Sequence, residues 1–189
     1  MAHIELYNDY PGIRGLLSYR PETAVAMAGL TQILLHAPHP TLSAGERELI
    51  AAYTSSLNEC KFCTSSHGAI ARNYLNDGDL VKQVLANPDI APISDKLKAL
   101  LNIANKVQKG GKNVTTADVE RAKTLGATDL EIHDTVLITA AFCMFNQYVD
   151  GLATWQPDDE DGYDTMAAHR IKTGYTVASL NIKETTTHI

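Results

Sequence analysis

The sequence predicts an all-α fold, because apolar residues recur at helical spacing, capping motifs precede the apolar runs, and no pair of alternating segments indicates strands. Pro21 is expected in the first turn of a helix that continues to Leu35 and stops in the proline-containing turn 36–40. Ser43 and Glu46 form a capping box that opens the next helix. Both helix starts are therefore readable from local sequence.

A third helix is expected to begin close to Cys60, after a break at Asn58 and Glu59, and to stop at 76–78. Helices are also predicted at about 79–86, 94–108, 115–126, 128–153 and, more weakly, 163–172. The helix that follows Thr128 is apolar on nearly every side, which is typical of a buried helix or a subunit interface.

The chain is expected to form a single domain over residues 1–189, since 189 residues suffice for one hydrophobic core. The core is placed at about 20–155, and residues 156–189 are expected to form a C-terminal extension or arm. A helix–turn–helix unit recurs along the chain, which is compatible with internal duplication of that unit.

Composition excludes several functional classes. A hydrophobic content of 44% and a charged content of 20% are ordinary for a soluble protein. A net charge of −6 and a pI near 5.6 argue against nucleic acid or an anionic membrane as a partner. The N-terminal residues lack the regions of a secretory signal, and the longest apolar stretch, 136–145, is too short to span a bilayer. We therefore expect a cytoplasmic protein.

Cys60, Cys63 and His67 are the main candidates for chemistry. On a helix they fall within roughly a 60° arc, with both cysteines in the first turn. The positive end of the helix dipole favours a thiolate and lowers the pKa of a cysteine there. Cys60, nearer the helix start, is expected to be more exposed and to meet a reductant. Cys63, closer to His67, is expected to meet a peroxide.

Glu48 is a further candidate, because its helix face otherwise carries the small residues Ala44, Ala51, Ala52 and Ser55. Close approach of another helix would bury its carboxyl group, which could then act as a general acid or base. The pattern alone does not select Glu48 over Glu46.

A C-x-x-C motif in an intracellular protein indicates redox chemistry or zinc binding more often than structural thiols. Zinc would need a fourth ligand beside Cys60, Cys63 and His67, with Glu48 or His133 as candidates. The sequence holds no second C-x-x-C, so the spacing favours redox chemistry without excluding metal. Cys143 is expected to be a buried core residue, and Asn146 and Asp150 are expected to make structural polar contacts. His133 is expected at the surface or in a helix cap.

Glu48, a gap of eleven residues, Cys60-Lys61-Phe62-Cys63 and His67 together resemble the signature of the alkylhydroperoxidase AhpD-like family, in the carboxymuconolactone decarboxylase superfamily. The resemblance is most specific over 43–75 and implies an AhpD-like helical bundle that assembles as a trimer or hexamer. It implies a thiol peroxidase in which Cys63 attacks the hydroperoxide, Cys60 closes the disulfide, and His67 and Glu48 relay the proton.

The implied substrate is a small organic hydroperoxide, and the implied reductant is a dithiol such as a lipoyl group or a thioredoxin-like protein. No bound cofactor is expected, because the cysteines carry the chemistry. One residue departs from the pattern: Phe62 stands where AhpD has a histidine, which removes a polar contact for the reductant. The alternatives are a dithiol–disulfide oxidoreductase, a redox sensor, and a zinc-binding oligomeric scaffold.

Overall fold

The computed structural model describes residues 2–180, and within this range the backbone forms helices and turns without strands. The prediction of an all-α fold is confirmed. The helices are α1 (Ile13–Tyr19), α2 (Pro21–Thr31), α3 (Ala44–Leu57), α4 (Lys61–Leu75), α5 (Gly78–Ala86), α6 (Asp95–Lys109), α7 (Thr116–Thr124), α8 (Asp129–Gly151) and α9 (Glu160–Thr173).

Local sequence determines most of these helix ends. Pro21 occupies the first turn of α2, and a capping box opens α3 at Ser43, as predicted. Capping boxes at Thr115 and Thr128 also open α7 and α8, close to the predicted starts of these helices. The segment Gln32–His36 continues α2 with π-helical hydrogen bonding. Arg47 holds this segment in place by donating hydrogen bonds to the carbonyls of Leu34 and Ala37.

Helix α1 was not predicted from the sequence. It has only seven residues, and its N-cap, Gly12, makes no side-chain capping bond. A helix this short has too few turns for apolar periodicity to stand out, so its stability comes from packing. Leu16 and Leu17 are buried, and the backbone N–H of Gly12 donates to the carbonyl of Trp155 at 2.9 Å.

Helices α3 and α4 pack as an antiparallel hairpin at the centre of the fold, with α8 against α3 and α6. The apolar face of α3, including Leu49 and Ile50, is fully buried, as are Leu100 of α6 and Ile138 of α8. Helix α9 packs along α4. None of the helices in the part of the chain described is both long enough and apolar enough to cross a membrane.

The segment that follows α9, predicted to belong to a C-terminal extension or arm, contacts the rest of the fold over its described part. Gly174 ends α9 with φ 66°, a left-handed conformation that favours glycine. The backbone N–H of Tyr175 then donates to Oε1 of Gln32 at 2.6 Å, and a 3₁₀ turn follows at Ala178–Leu180. Residues 181–189, also assigned to the arm, lie outside the described residues.

Candidate active site

The turn between α3 and α4 places the two cysteines. Glu59 adopts a left-handed conformation, and the N–H of Cys60 donates to the carbonyl of Ser55 at 3.0 Å. Cys60 is thus the N-cap of α4, and Cys63 lies in its first turn, as the sequence predicts. The unpaired N–H groups of this helix start make a favourable environment for a thiolate.

The expectation that Cys60 is the more exposed cysteine is wrong. Cys60 has no exposed surface, and Cys63 is 3% exposed. Side chains from other helices enclose both thiols: Asn146 of α8 contacts Cys63, and Asp150 of α8 lies near Cys60. On the α9 side, Tyr163 packs against Phe62 with ring centroids 6.1 Å apart. The position of a cysteine at a helix start does not predict that side chains from other helices will enclose it.

Cys60 and Cys63 are both free thiols, and they lie close enough to shift one another's pKa. The interaction with Cys63 lowers the pKa of Cys60, against the effect of burial, which raises it. The interaction with Cys60, together with burial, raises the pKa of Cys63 well above its ordinary range, while Asn146 acts in the lowering direction. In the resting pair, Cys60 is therefore the sulfur that ionises more readily.

Lys61 contributes less to this electrostatic environment than its position between the cysteines implies. Its ammonium group is 3.2 Å from Oδ1 of Asp158, and both side chains are largely exposed. Exposed ion pairs are screened by solvent, so they contribute little to a buried neighbour. The partner thiol and burial are the main influences on the pKa of each cysteine.

Glu48 and His67 are in direct contact. Oε2 of Glu48 lies 2.7 Å from Nδ1 of His67, and Glu48 is only 1% exposed. The burial of Glu48 among small residues on this face of α3 agrees with the expectation from the sequence. The ring of Phe142 packs edge-on against His67 at 4.6 Å and fixes its orientation.

Tyr175 completes this group and was not predicted from the sequence. Its hydroxyl donates to Oε1 of Glu48 at 2.6 Å, and its ring stacks on His67 at 6.1 Å. Burial, followed by the negative charge of Glu48, raises the pKa of Tyr175 well above its ordinary range, so the hydroxyl remains a donor. Its separation from the C-x-x-C motif left no spacing signal that could have found it.

Asn146 also lies closer to the chemistry than expected. Its side chain is buried, accepts a hydrogen bond from Asn58 at 2.8 Å and donates one to Ser55 at 3.1 Å. Its additional contact with Cys63 means that it does more than hold two helices together. Cys143 is only half-buried, with Sγ 3.5 Å from Nδ2 of Asn58, rather than a fully buried core residue.

A cavity of about 380 Å³ lies beside the histidine. Phe62, His67 and Phe142 form part of its wall, together with residues of α1, α2 and α9. Neither thiol lines it among the residues described, although Cys63 is adjacent to Phe62 in sequence and one helical turn before His67. A small molecule in the cavity could thus contact His67 directly, and Phe62 is the nearest wall residue in sequence to both cysteines.

Within residues 2–180, no group of three or more His, Cys, Asp and Glu side chains is arranged to hold a metal ion. His133, considered above as a fourth zinc ligand, is at the surface, where its Nδ1 lies 2.8 Å from Oδ1 of Asp134. The expectation of a surface histidine is confirmed.

Fold and site define an all-α protein with a buried dithiol and an adjacent carboxylate–imidazole pair. The Carboxymuconolactone decarboxylase family model matches residues 21–106. A peroxidase-related protein with an alkylhydroperoxidase AhpD core, from Ralstonia eutropha JMP134, is 31% identical with a TM-score of 0.74, over 83% of this chain and 80% of that chain. A peroxidase-related protein from Silicibacter sp. TM1040 is 27% identical with a TM-score of 0.73, over 82% and 78%.

No match was found among curated proteins. The likeness to the Ralstonia protein extends over most of both chains, and the family model covers the segment that contains the C-x-x-C motif. The chain therefore belongs to the alkylhydroperoxidase AhpD-like family, and the resemblance found in the sequence is confirmed.

Proposed function

We propose that this protein is a thiol peroxidase that reduces small organic hydroperoxides through a dithiol–disulfide cycle of Cys60 and Cys63. The observation that carries the proposal is the pair of adjacent free thiols at the start of α4, one helical turn from a histidine that is itself held by a buried carboxylate. The peroxidase-related names of two structural relatives support the same class of reaction.

In the proposed first step, the Cys63 thiolate attacks the terminal oxygen of ROOH, the O–O bond breaks, and ROH leaves with a proton. Cys63 is oxidised to a sulfenic acid. The Cys60 thiol then attacks that sulfur and releases water, giving the Cys60–Cys63 disulfide. The sum is ROOH plus two thiols giving ROH, water and one disulfide, so atoms and electrons balance.

His67 is assigned the proton transfers in this scheme. Glu48 engages Nδ1 of His67, so the proton on that nitrogen is directed at the carboxylate and Nε2 can act as the base. No direct hydrogen bond joins His67 to either thiol within residues 2–180, so the proton is expected to pass through the bound hydroperoxide or a solvent molecule. The interaction with Cys60 and burial raise the pKa of Cys63, so deprotonation of this thiol needs a base.

A dithiol donor, such as a lipoyl group or a thioredoxin-like protein, would reduce the disulfide and complete the cycle. Family likeness leads us to propose a homo-oligomer, a trimer or hexamer, working in the cytoplasm. The exposed apolar side chains of Leu130 and Met144 on α8 are candidates for part of the subunit interface.

A second candidate function is dithiol–disulfide exchange on a protein or small-molecule disulfide. The specific observation in its favour is the lowered pKa of Cys60, since the sulfur that ionises first is the better nucleophile toward a disulfide. Exchange would begin at Cys60, whereas peroxide reduction as proposed begins at Cys63. The two functions therefore differ in which cysteine is indispensable.

The test adds one equivalent of an organic hydroperoxide to fully reduced, metal-free protein, followed by thiol counting and disulfide mapping by peptide mass. We expect loss of two thiols per chain and a Cys60–Cys63 bridge, faster than for a simple thiol. Cys63→Ser should abolish the reaction, while Cys60→Ser should react once and leave a trappable sulfenic acid. Cys143→Ser is the matched control and should react like the wild type.

Two results would contradict the proposal. Reaction no faster than a simple thiol in the wild type would leave disulfide exchange as the working function. A sulfenic acid trapped on Cys60 in the Cys63→Ser variant, with Cys60→Ser inert, would reverse the roles of the two cysteines.

A further inference from the structure

Two arginines line the cavity next to His67. Arg14 comes from α1 and Arg170 from α9, so the chain brings them together only in the folded state. Within residues 2–180, neither guanidinium group forms an ion pair with a carboxylate. Two positive groups at one small cavity repel each other unless an anion lies between them.

Arg14 has hydrogen-bonding capacity that the described part of the protein does not use. Its Nε is buried without a hydrogen-bond partner, while its guanidinium carbon lies 4.5 Å from the centre of the Tyr10 ring. Ser66, another residue of the cavity wall, has a buried hydroxyl without a partner. Buried polar groups in native proteins are nearly always paired, so two orphaned groups at one cavity indicate a polar ligand.

Arg170 is held in place by hydrogen bonds to the segment that follows α9. Its Nη1 donates to the carbonyl of Gly174 at 3.1 Å and to Oγ of Ser179 at 3.0 Å. Burial lowers the pKa of Arg170, and the nearby charge of Arg14 acts in the same direction, while Tyr175 and the Glu48 carboxylate act against it only in part. A bound anion would offset both effects, since it compensates the desolvation and the repulsion.

The remainder of the wall is mostly apolar, with Leu17, Met27, Ile70 and Phe142 among its residues. A cavity of about 380 Å³ is near the lower end of the range for small-molecule sites. The cavity is thus suited to a ligand with one negative group near the arginines and a compact apolar body along the rest of the wall. A carboxylate suits the guanidinium group, which can bind it through two parallel hydrogen bonds.

We propose that this cavity binds small amphipathic carboxylates, with the carboxylate at Arg14, Ser66 and Arg170 and the apolar body against Leu17, Met27 and Ile70. The substrates of the enzyme are then hydroperoxides of such acids, with the peroxide group directed at His67. The binding site stands on the cavity alone. Its use for hydroperoxides rests on the proposed peroxidase function.

Binding is tested with octanoate and octanamide, which share one alkyl chain and differ in charge, by titration calorimetry on the full-length reduced protein. We expect octanoate to bind at least about tenfold more tightly, because charge-assisted hydrogen bonds to a guanidinium are strong. Arg14→Gln should remove this preference and Arg14→Lys should keep part of it. Arg121→Gln changes an exposed arginine of α7 and is the matched control; it should bind like the wild type.

Equal affinity of the wild type for octanoate and octanamide would overturn the proposal, whether or not Arg14→Gln folds. A preference that persists in a folded Arg14→Gln variant would overturn the assignment of Arg14. Thermal unfolding of each variant identifies those that fold.

The peroxidase proposal and the carboxylate-site proposal can be refuted independently of each other. Single-turnover thiol loss is measured with a hydroperoxide of octanoic acid and with the matching hydroperoxide of octanamide. Tight octanoate binding without reaction of either hydroperoxide would keep the carboxylate site and refute the peroxidase. Rapid reaction of both hydroperoxides at the same rate would keep the peroxidase and refute the carboxylate preference.

Discussion

Two buried glutamates, Glu48 in α3 and Glu131 in α8, lie in the same helical core but have different partners. Glu48 is 1% exposed and Glu131 is fully buried, so solvent does not distinguish them. Glu131 is paired with the ammonium group of Lys96 at 2.7 Å, whereas the partners of Glu48 are a histidine and a tyrosine hydroxyl. Their surroundings therefore assign them different tasks.

Glu131 has a structural role. It caps α8 by accepting the N–H of Thr128 at 2.6 Å, and its ion pair with Lys96 joins α8 to α6. Burial acts to raise the pKa of Glu131, but the hydrogen bonds from Lys96 and Thr128 outweigh it, and the pKa lies below its ordinary value. A permanently ionised carboxylate with a permanent cation exchanges no protons near neutral pH.

Glu48 has a partner that can change its charge. Protonation of His67 turns a hydrogen bond into a buried ion pair, and the hydroxyl of Tyr175 stabilises the carboxylate in both states. The comparison teaches that burial of a carboxylate does not identify a proton relay. The partner matters as well, because the proton transfer proposed for Glu48 and His67 needs a partner that can change its charge.

The sharpest test of this difference is Glu48→Gln. The amide keeps the size of the side chain and an acceptor for Tyr175 but removes the charge that supports His67. We expect the rate of hydroperoxide-driven thiol loss to fall about a hundredfold, the range of a lost general acid–base contribution. The measurement is single-turnover thiol loss, with Glu131→Gln as the matched control. If both variants keep the wild-type rate, Glu48 takes no part in the proton transfer.

Glu131→Gln should instead lower stability. The substitution leaves the Lys96 ammonium group without its carboxylate, and we expect a loss of about 2 kcal/mol in the free energy of unfolding near pH 7. Because the folded pKa of Glu131 lies below its ordinary value of 4.5, the ionised pair stabilises the wild type above pH 4.5. This advantage is lost as the pH falls through the folded pKa.

Urea unfolding of wild type and Glu131→Gln at several pH values from 3 to 7 provides the measurement. The difference between the two proteins should be constant near neutral pH and shrink at the acidic end. A difference that stays the same at every pH would show that the effect of the substitution comes from packing and not from the charge.

The smallest expected effect is that of Tyr175→Phe. Removing the hydroxyl deletes the donor to Oε1 of Glu48 but keeps the ring that stacks on His67. We expect the rate of thiol loss to fall about tenfold, which corresponds to about 1.4 kcal/mol of transition-state free energy. Tyr163→Phe is the matched control, since it removes a hydroxyl that donates to the carbonyl of Pro157. Equal rate losses in both variants would indicate a general loss of packing.

The helical fold could be predicted because its signals are local. The capping boxes at Ser43, Thr115 and Thr128 and the first-turn position of Pro21 are each fixed by a few adjacent residues, and the helix ends occur there. Helix α1 has no such signal and was found only in the structure. In the site as well, residues that share a local sequence pattern were predicted, whereas Tyr175, which belongs to no such pattern, was missed.

The sequence by itself determined the thiol pair and its histidine, because 3.6 residues per turn place Cys60, Cys63 and His67 on one helix face wherever the helix packs. Only the tertiary structure decided how far each thiol is buried and which side chains surround Glu48. Those contacts come from α8, α9 and the segment after it, up to 127 residues away along the chain. Their meeting depends on packing of the whole core, which no local spacing records.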